Sequence, residues 1–188
     1  MTDYFALLGE ARRPWLDPDK VKEKYFALAR EQPADAELNE AYRVLSDPKL
    51  RLQHLLNLAG VDLTAGREIP PALAELFWST GNLLREVDRW LLKYEAAPSA
   101  LSRALLAGER AKLSERLTML EERLRLACGK EVEQLRAIDP NMLPNETLIL
   151  RHDSLSYLGR LQEQVKEKRL EMTNDCDAAG GEGLPGEA

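Results

Sequence analysis

Histidine and cysteine are scarce in this sequence, two of each in 188 residues. Cys128 and Cys176 lie far apart in unlike settings, whereas a disulfide framework or a zinc site needs more ligands at closer spacing. Two reduced thiols in a reducing compartment are the simplest reading. With His54 and His152 the only imidazoles, acid–base chemistry has few candidates. His152-Asp153-Ser154 sets three catalytic residue types side by side, but helical neighbours point in different directions and a triad must converge in space. There is no glycine-rich phosphate loop, no nucleophile elbow and no cysteine pair at ligand spacing. Glu121-Glu122 reads as helical surface charge. No catalytic residue, metal ligand or cofactor is expected.

Long apolar runs are missing too. No stretch approaches the roughly 18–20 apolar residues that span a bilayer, and Met1 to Leu8 lacks the basic flank and apolar run of a signal peptide. A basic balance is missing as well: 26 Lys and Arg stand against 32 Asp and Glu, a net charge of -6. That balance argues against a dedicated nucleic-acid binder, since phosphate contacts require clustered cations. No segment alternates with period two, so strands are not expected. These absences leave a soluble, cytoplasmic, all-α protein.

Helical periodicity fills the remainder. Tyr4, Phe5, Leu7 and Leu8 form a short element stopped by Gly9. Asp17-Pro18-Asp19 starts a helix, with Asp as cap and Pro in the first turn; it carries Val21, Tyr25, Leu28 and Ala29 and ends near Gln32, before Pro33. A third helix from about Ala36 carries Leu38, Ala41, Tyr42 and Leu45. Ser46-Asp47-Pro48 breaks it and caps a fourth, with Leu52, Leu55, Leu56 and Ala59, closed by Gly60. Gly and Pro between 60 and 71 mark a linker.

Three long amphipathic patterns follow. The first carries Leu73, Leu76, Phe77, Leu83, Leu84, Val87, Leu91 and Tyr94, and Pro98 ends it. The second runs from Leu101 through Leu105, Leu113, Leu117, Leu120 and Leu124 to about Ile138. Gly129 weakens it by about 1 kcal/mol relative to Ala, so a kink or break is expected there, beside Cys128 as a small, partly buried thiol. The third carries Leu148, Leu155, Leu158, Leu161, Val165 and Leu170. Short connections let these leucines meet within the chain as a three-helix bundle, without a coiled-coil partner. The expected organisation is residues 1–62, a linker over 63–71, a bundle over 72–173 and a disordered tail over 174–188, poor in residues to bury.

The N-terminal residues carry a family likeness. Asp3-Tyr4-Phe5-x-Leu7-Leu8-Gly9 resembles the opening of J domains, and Leu38-Asn39-Glu40-Ala41-Tyr42-Arg43-Val44-Leu45-Ser46-Asp47-Pro48 resembles their third helix. Tyr25-Phe26-Ala27-Leu28 and Leu52 to Gly60 are similar to the HscB branch, J proteins that serve iron–sulfur cluster assembly. Over residues 70 to 170 the likeness rests on length, helix order and Tyr157-Leu158-x-x-Leu161. It implies a J-domain-like helical hairpin docked on a C-terminal bundle, a DnaK/HscA-type chaperone as one partner and a protein client, an iron–sulfur scaffold in that branch, as another.

The sequence departs from the family at one point that matters for function. J domains carry His-Pro-Asp after the second helix, where it triggers the chaperone's ATPase. Here Pro33, Ala34 and Asp35 occupy that place, in a shorter loop. Asp35 and the basic positions Lys20, Lys22, Lys24 and Arg30 are what remains for the chaperone; the alternative is a solvated face interleaved with Asp19, Glu23 and Glu31. Client docking by the family's route falls on Leu73, Leu76, Phe77, Trp78 and Glu86. The family's acidic run is replaced by Ser79-Thr80-Gly81-Asn82. Phe77 and Trp78 sit about 100° apart on a helix, so either one is an exposed anchor or both are partly buried between the domains. Co-chaperone-like client docking is the expected function. The competing reading is an adaptor that kept the J fold and lost chaperone coupling.

Overall fold

A computed structural model describes residues 2–31, 35–63, 70–138 and 145–180, with the side chains of the last segment described over 146–173. Among these residues there are helices and no strands. The helices are α1 (Tyr4–Leu7), α2 (Pro18–Glu31), α3 (Ala36–Ser46), α4 (Pro48–Leu58), α5 (Ala74–Glu95), α6 (Ala100–Leu105), α7 (Ala107–Arg136) and α8 (Asn145–Gly180), with a 3-10 turn at Pro71–Leu73. The chain divides into two compact units, Met1–Pro70 with Ala127–Tyr157, and Pro71–Leu126 with Leu158–Ala188.

Local chemistry sets the helix ends of the first unit. Asp3, Asp35 and Asp47 each turn a carboxylate onto the free amides of the following first turn, satisfying donors that a helix leaves open. Asp17 accepts from the amides of Asp19 and Lys20 at 3.1 and 3.5 Å. Gly9 and Gly60 take φ of 61° and 73°, where a side chain is disfavoured. Each is followed by an amide that bonds back five residues, Glu10 to the Phe5 carbonyl at 2.8 Å and Val61 to that of Leu56 at 3.0 Å. These paired bonds close α1 and α4.

The core of this unit gathers Phe5, Leu8, Leu16, Val21, Leu38, Ala41, Leu45, Leu52, Leu55 and Leu56 with Leu135, Leu148 and Leu155. The last three come from α7 and α8. The expected boundary, which gave all of 72–173 to the bundle, is therefore corrected: residues 127–157 belong with the N-terminal helices because their leucines complete that core. Arg136 lies over the Trp15 ring at 4.9 Å, and Arg151 pairs with Glu131 at 2.9 Å. Tyr25 and Tyr42 stack at 4.3 Å, and the Tyr25 hydroxyl donates to Asn39 Oδ1 at 2.6 Å, joining α2 to α3.

Two buried polar side chains hold the unit's connections. Arg51 Nε donates to the Pro14 carbonyl at 2.9 Å and Nη1 to the Leu45 carbonyl at 2.6 Å. Burial lowers its pKa to about 10, opposed by the charge of Asp47. His54 Nε2 accepts from the Tyr4 amide at 3.1 Å, which makes its Nδ1 the protonated nitrogen. Its ring stacks on Tyr4 and Phe5.

The second unit buries Leu73, Leu76, Leu83, Val87, Trp90 and Leu91 together with Leu113, Leu117, Leu120 and Leu124 of α7 and Leu158, Leu161, Val165 and Met172 of α8. Ion pairs bind the helices across their edges: Glu86 with Arg116, Lys168 with Asp88 at 2.8 Å and Arg169 with Glu121. Trp90 Nε1 donates to the Leu106 carbonyl at 3.3 Å.

Four expectations are corrected. The second amphipathic pattern is interrupted at Leu106, so Leu101 and Leu105 sit on the separate short α6 and are exposed. Gly129 does not break α7, which runs on from Ala107 to Arg136, because fully buried leucines on both sides, Leu124 and Leu135, outweigh its weak propensity. Leu170 is exposed. Residues 174–180, expected to be disordered, continue α8 to Gly180, with neither Gly nor Pro among residues 174–179 to stop it; residues 181–188 and most of the linker lie outside the described residues.

Arg51→Met keeps most of the apolar stem but strips two buried carbonyls of their donor. We expect a loss of about 2 kcal/mol, read as a lower urea midpoint at unchanged m-value. His54 supplies a second test. Burial depresses its pKa below the ordinary 6.5, with Asp3 opposing and Arg12 reinforcing the shift. Its contribution is thus complete above that value and is lost as pH falls below it. His54→Gln should flatten the decline in stability between about pH 7 and 5.5; an unchanged pH slope would remove His54 as its source.

Candidate protein-docking surfaces

The outward side of α2 is the first candidate. Lys20, Lys22 and Arg30 are exposed. Lys24 is not free: its ammonium donates to the Gly9 carbonyl at 2.6 Å and pairs with Glu10 at 2.8 Å, tying α2 to the turn after α1. Asp35 is committed as well. Its Oδ1 accepts from the amides of Glu37 and Leu38 at 2.8 and 3.2 Å, which is the work of a helix cap. Pro33 and Ala34 lie outside the described residues.

Between the free cations the structure adds a residue that charge-based reading had not put forward. Phe26 is 50% exposed and shares a shallow cleft with Asp19, Lys22, Glu23, Ala27 and Arg30. Lys22, Phe26 and Arg30 follow one another at a spacing of four, one face of a helix. That spacing was available in the sequence, but Phe26 was noticed there only as part of a family motif.

The second candidate lies on α5. Leu73 and Leu76 are buried and hold the helix to its unit, so they offer nothing to a partner. Phe77 and Trp78 are 37% and 63% exposed, edge to face with centroids 6.0 Å apart. Both side chains reach solvent. Glu86 is partly exposed and engaged by Nη1 and Nη2 of the Arg116 guanidinium, which holds its carboxyl below the usual range. Thr80 is fully buried, its hydroxyl donating to the Leu76 carbonyl at 2.8 Å.

Among the described residues no group of three His, Cys, Asp or Glu side chains is placed to hold a metal ion. His152 Nδ1 lies 3.2 Å from Asp153, and Ser154 is buried. Burial raises the pKa of the half-buried Cys128 thiol, and the charge of Glu131 adds to it, away from the thiolate that reactivity needs. Among the described residues no helix is long and apolar enough to cross a membrane.

A DnaJ chaperone of Acaryochloris marina is 37% identical over 76 residues, covering 34% of this chain and 20% of that protein. The likeness to the HscB type spans more: the co-chaperone HscB homologue of Bordetella pertussis is 29% identical over 141 residues, covering 64% of this chain and 80% of the relative. Among solved structures, chaperone HscB from Vibrio cholerae aligns over 91% of this chain and 99% of its own, at 17% identity and a TM-score of 0.47. No protein-family model matches.

Because Asp35 acts as a cap, Asp35→Ala should cost about 1 kcal/mol of stability, while Asp35→Asn, which also caps, should cost little. If Asp35→Ala left the thermal midpoint unchanged, the carboxylate's role would lie elsewhere.

Proposed function

We propose that this chain is a co-chaperone-like protein of the HscB kind, which docks a client protein on the outer face of α5. The observation that carries this reading is the Phe77–Trp78 pair, two large aromatics left in solvent on a helix whose other side is fully packed. Aromatic side chains of this kind give much binding energy per residue when a partner covers them. The curated relative from Bordetella pertussis is named a co-chaperone, and an iron–sulfur scaffold is the client that the HscB likeness suggests.

Coupling to a DnaK/HscA-type chaperone would fall to the open face of α2, through Lys20, Lys22, Phe26 and Arg30. The competing reading, an adaptor without chaperone coupling, is favoured by two facts. The sequence has no His-Pro-Asp, and Asp35 is occupied as a cap.

The steady-state ATPase rate of the host's DnaK-type chaperones, with and without this protein, separates the two. The co-chaperone reading predicts acceleration that Lys22→Glu with Phe26→Ser removes; an unchanged rate with the native chain leaves the adaptor. For the client surface, Trp78→Ala should weaken capture of the scaffold by about tenfold while the helical signal and thermal midpoint stay within error. Equal capture by the native chain and the variant would reject α5 as the docking face.

A further inference from the structure

The outward stripe of α5 carries more than its two aromatics. At 100° per residue, Trp78, Arg85, Arg89 and Leu92 fall within an arc of about 60°. Leu76, Leu83, Val87 and Trp90, all buried, lie on the opposite side. Trp78 and Leu92 are 63% and 66% exposed, and the arginines between them are exposed too. At 1.5 Å per residue the two apolar ends stand about 21 Å apart.

Beside this stripe a shallow cleft runs between α5 and α7. Arg89, Lys93, Lys112 and Arg116 line it with Glu86 and Glu109. The two carboxylates are already used, Glu86 by Arg116 and Glu109 by Lys93 at 3.2 Å. Arg89 donates to the Arg85 carbonyl and its charge also acts on Glu86, and Arg85 donates to the Asn82 amide oxygen at 2.6 Å. Arg85, Arg89 and Lys112 have no carboxylate in ion-pair distance among the described residues. In a chain of net charge -6, this is a local excess of positive charge flanked by apolar side chains.

We infer that the α5–α7 face binds an acidic, amphipathic peptide segment of a partner protein. Carboxylates of the segment meet Arg85, Arg89 and Lys112, and apolar side chains about four turns apart cover Trp78 and Leu92. Complementary charge fixes register and speeds encounter, while the apolar ends supply most of the affinity. A nucleic acid is disfavoured, since three cations neutralise few phosphates and the acidic remainder of the chain repels a polyanion. This inference rests on the reading of Trp78 as a client anchor and adds the chemistry of the client.

The test uses the full chain and a fluorescein-labelled helical peptide of about fifteen residues, with leucine near each end and glutamates between. A matched peptide replaces every glutamate by glutamine. Anisotropy should report binding of the glutamate peptide that weakens with salt. Affinity should fall by at least about tenfold for the glutamine peptide, and equally for the glutamate peptide on Arg89→Glu/Lys112→Glu, whose exposed substitutions leave the fold intact by circular dichroism. No binding, equal affinity for the two peptides, indifference to the charge reversal, or equal displacement by single-stranded DNA would each overturn the inference. Trp78→Ala distinguishes it from the reading beneath it. Loss of binding in Trp78→Ala alone keeps the anchor and discards the acidic segment. Loss in the charge-reversed protein alone keeps the acidic segment and discards the anchor.

Discussion

The N-terminal unit is organised around a cation that water does not reach. Arg51 sits at the start of α4, yet its two donated bonds run to the Pro14 carbonyl, ahead of α2, and to the Leu45 carbonyl near the end of α3. One side chain therefore fixes the positions of three stretches that share no helix. Burying a guanidinium costs solvation, which is why its pKa falls to about 10, and the carbonyls return part of that cost as charge-assisted bonds. The apolar residues around it, Leu45, Leu52 and Leu56, can then pack without leaving backbone acceptors unpaired. Placing α2 in this way leaves Lys22, Phe26 and Arg30 outward as one face.

How much of this was readable in advance depended on the range of the forces involved. Caps and stops act over four or five residues, and the starts at Asp17 and Asp47 and the closures at Gly9 and Gly60 stand where the residues put them. Arg51 was not readable, because nothing near it in sequence announces that its acceptors lie 37 and 6 residues away. The break at Leu106 was missed for the same reason: the indole that bonds its carbonyl belongs to another helix. Gly129 shows the converse, a local weakness overridden by packing on either side.

The candidate surfaces divide along the same line. The 100° offset between Phe77 and Trp78 made exposure of at least one legible, whereas the burial of Leu73 and Leu76 turned two of the five proposed client-surface residues into scaffold. A row of basic residues on α2 was equally visible. Which of them is free was not, since Lys24 is claimed by a turn fifteen residues earlier and Asp35 by its own helix. Charge in a sequence marks where ions are, and only the fold decides which of them are already spent on structure.

The leucines that complete the N-terminal core have a consequence for how the protein is made. Leu135, Leu148 and Leu155 are delivered by α7 and α8, so that core is whole only once the chain has been made through Leu155. The early helices must wait, partly uncovered, while about a hundred residues are added, at rates that make this a matter of seconds. Contacts of such sequence separation are entropically slow to form. Nascent chains of this protein thus hold exposed apolar surface for an extended interval, and a protein resembling co-chaperones is itself cast, during synthesis, in the position of a chaperone's client.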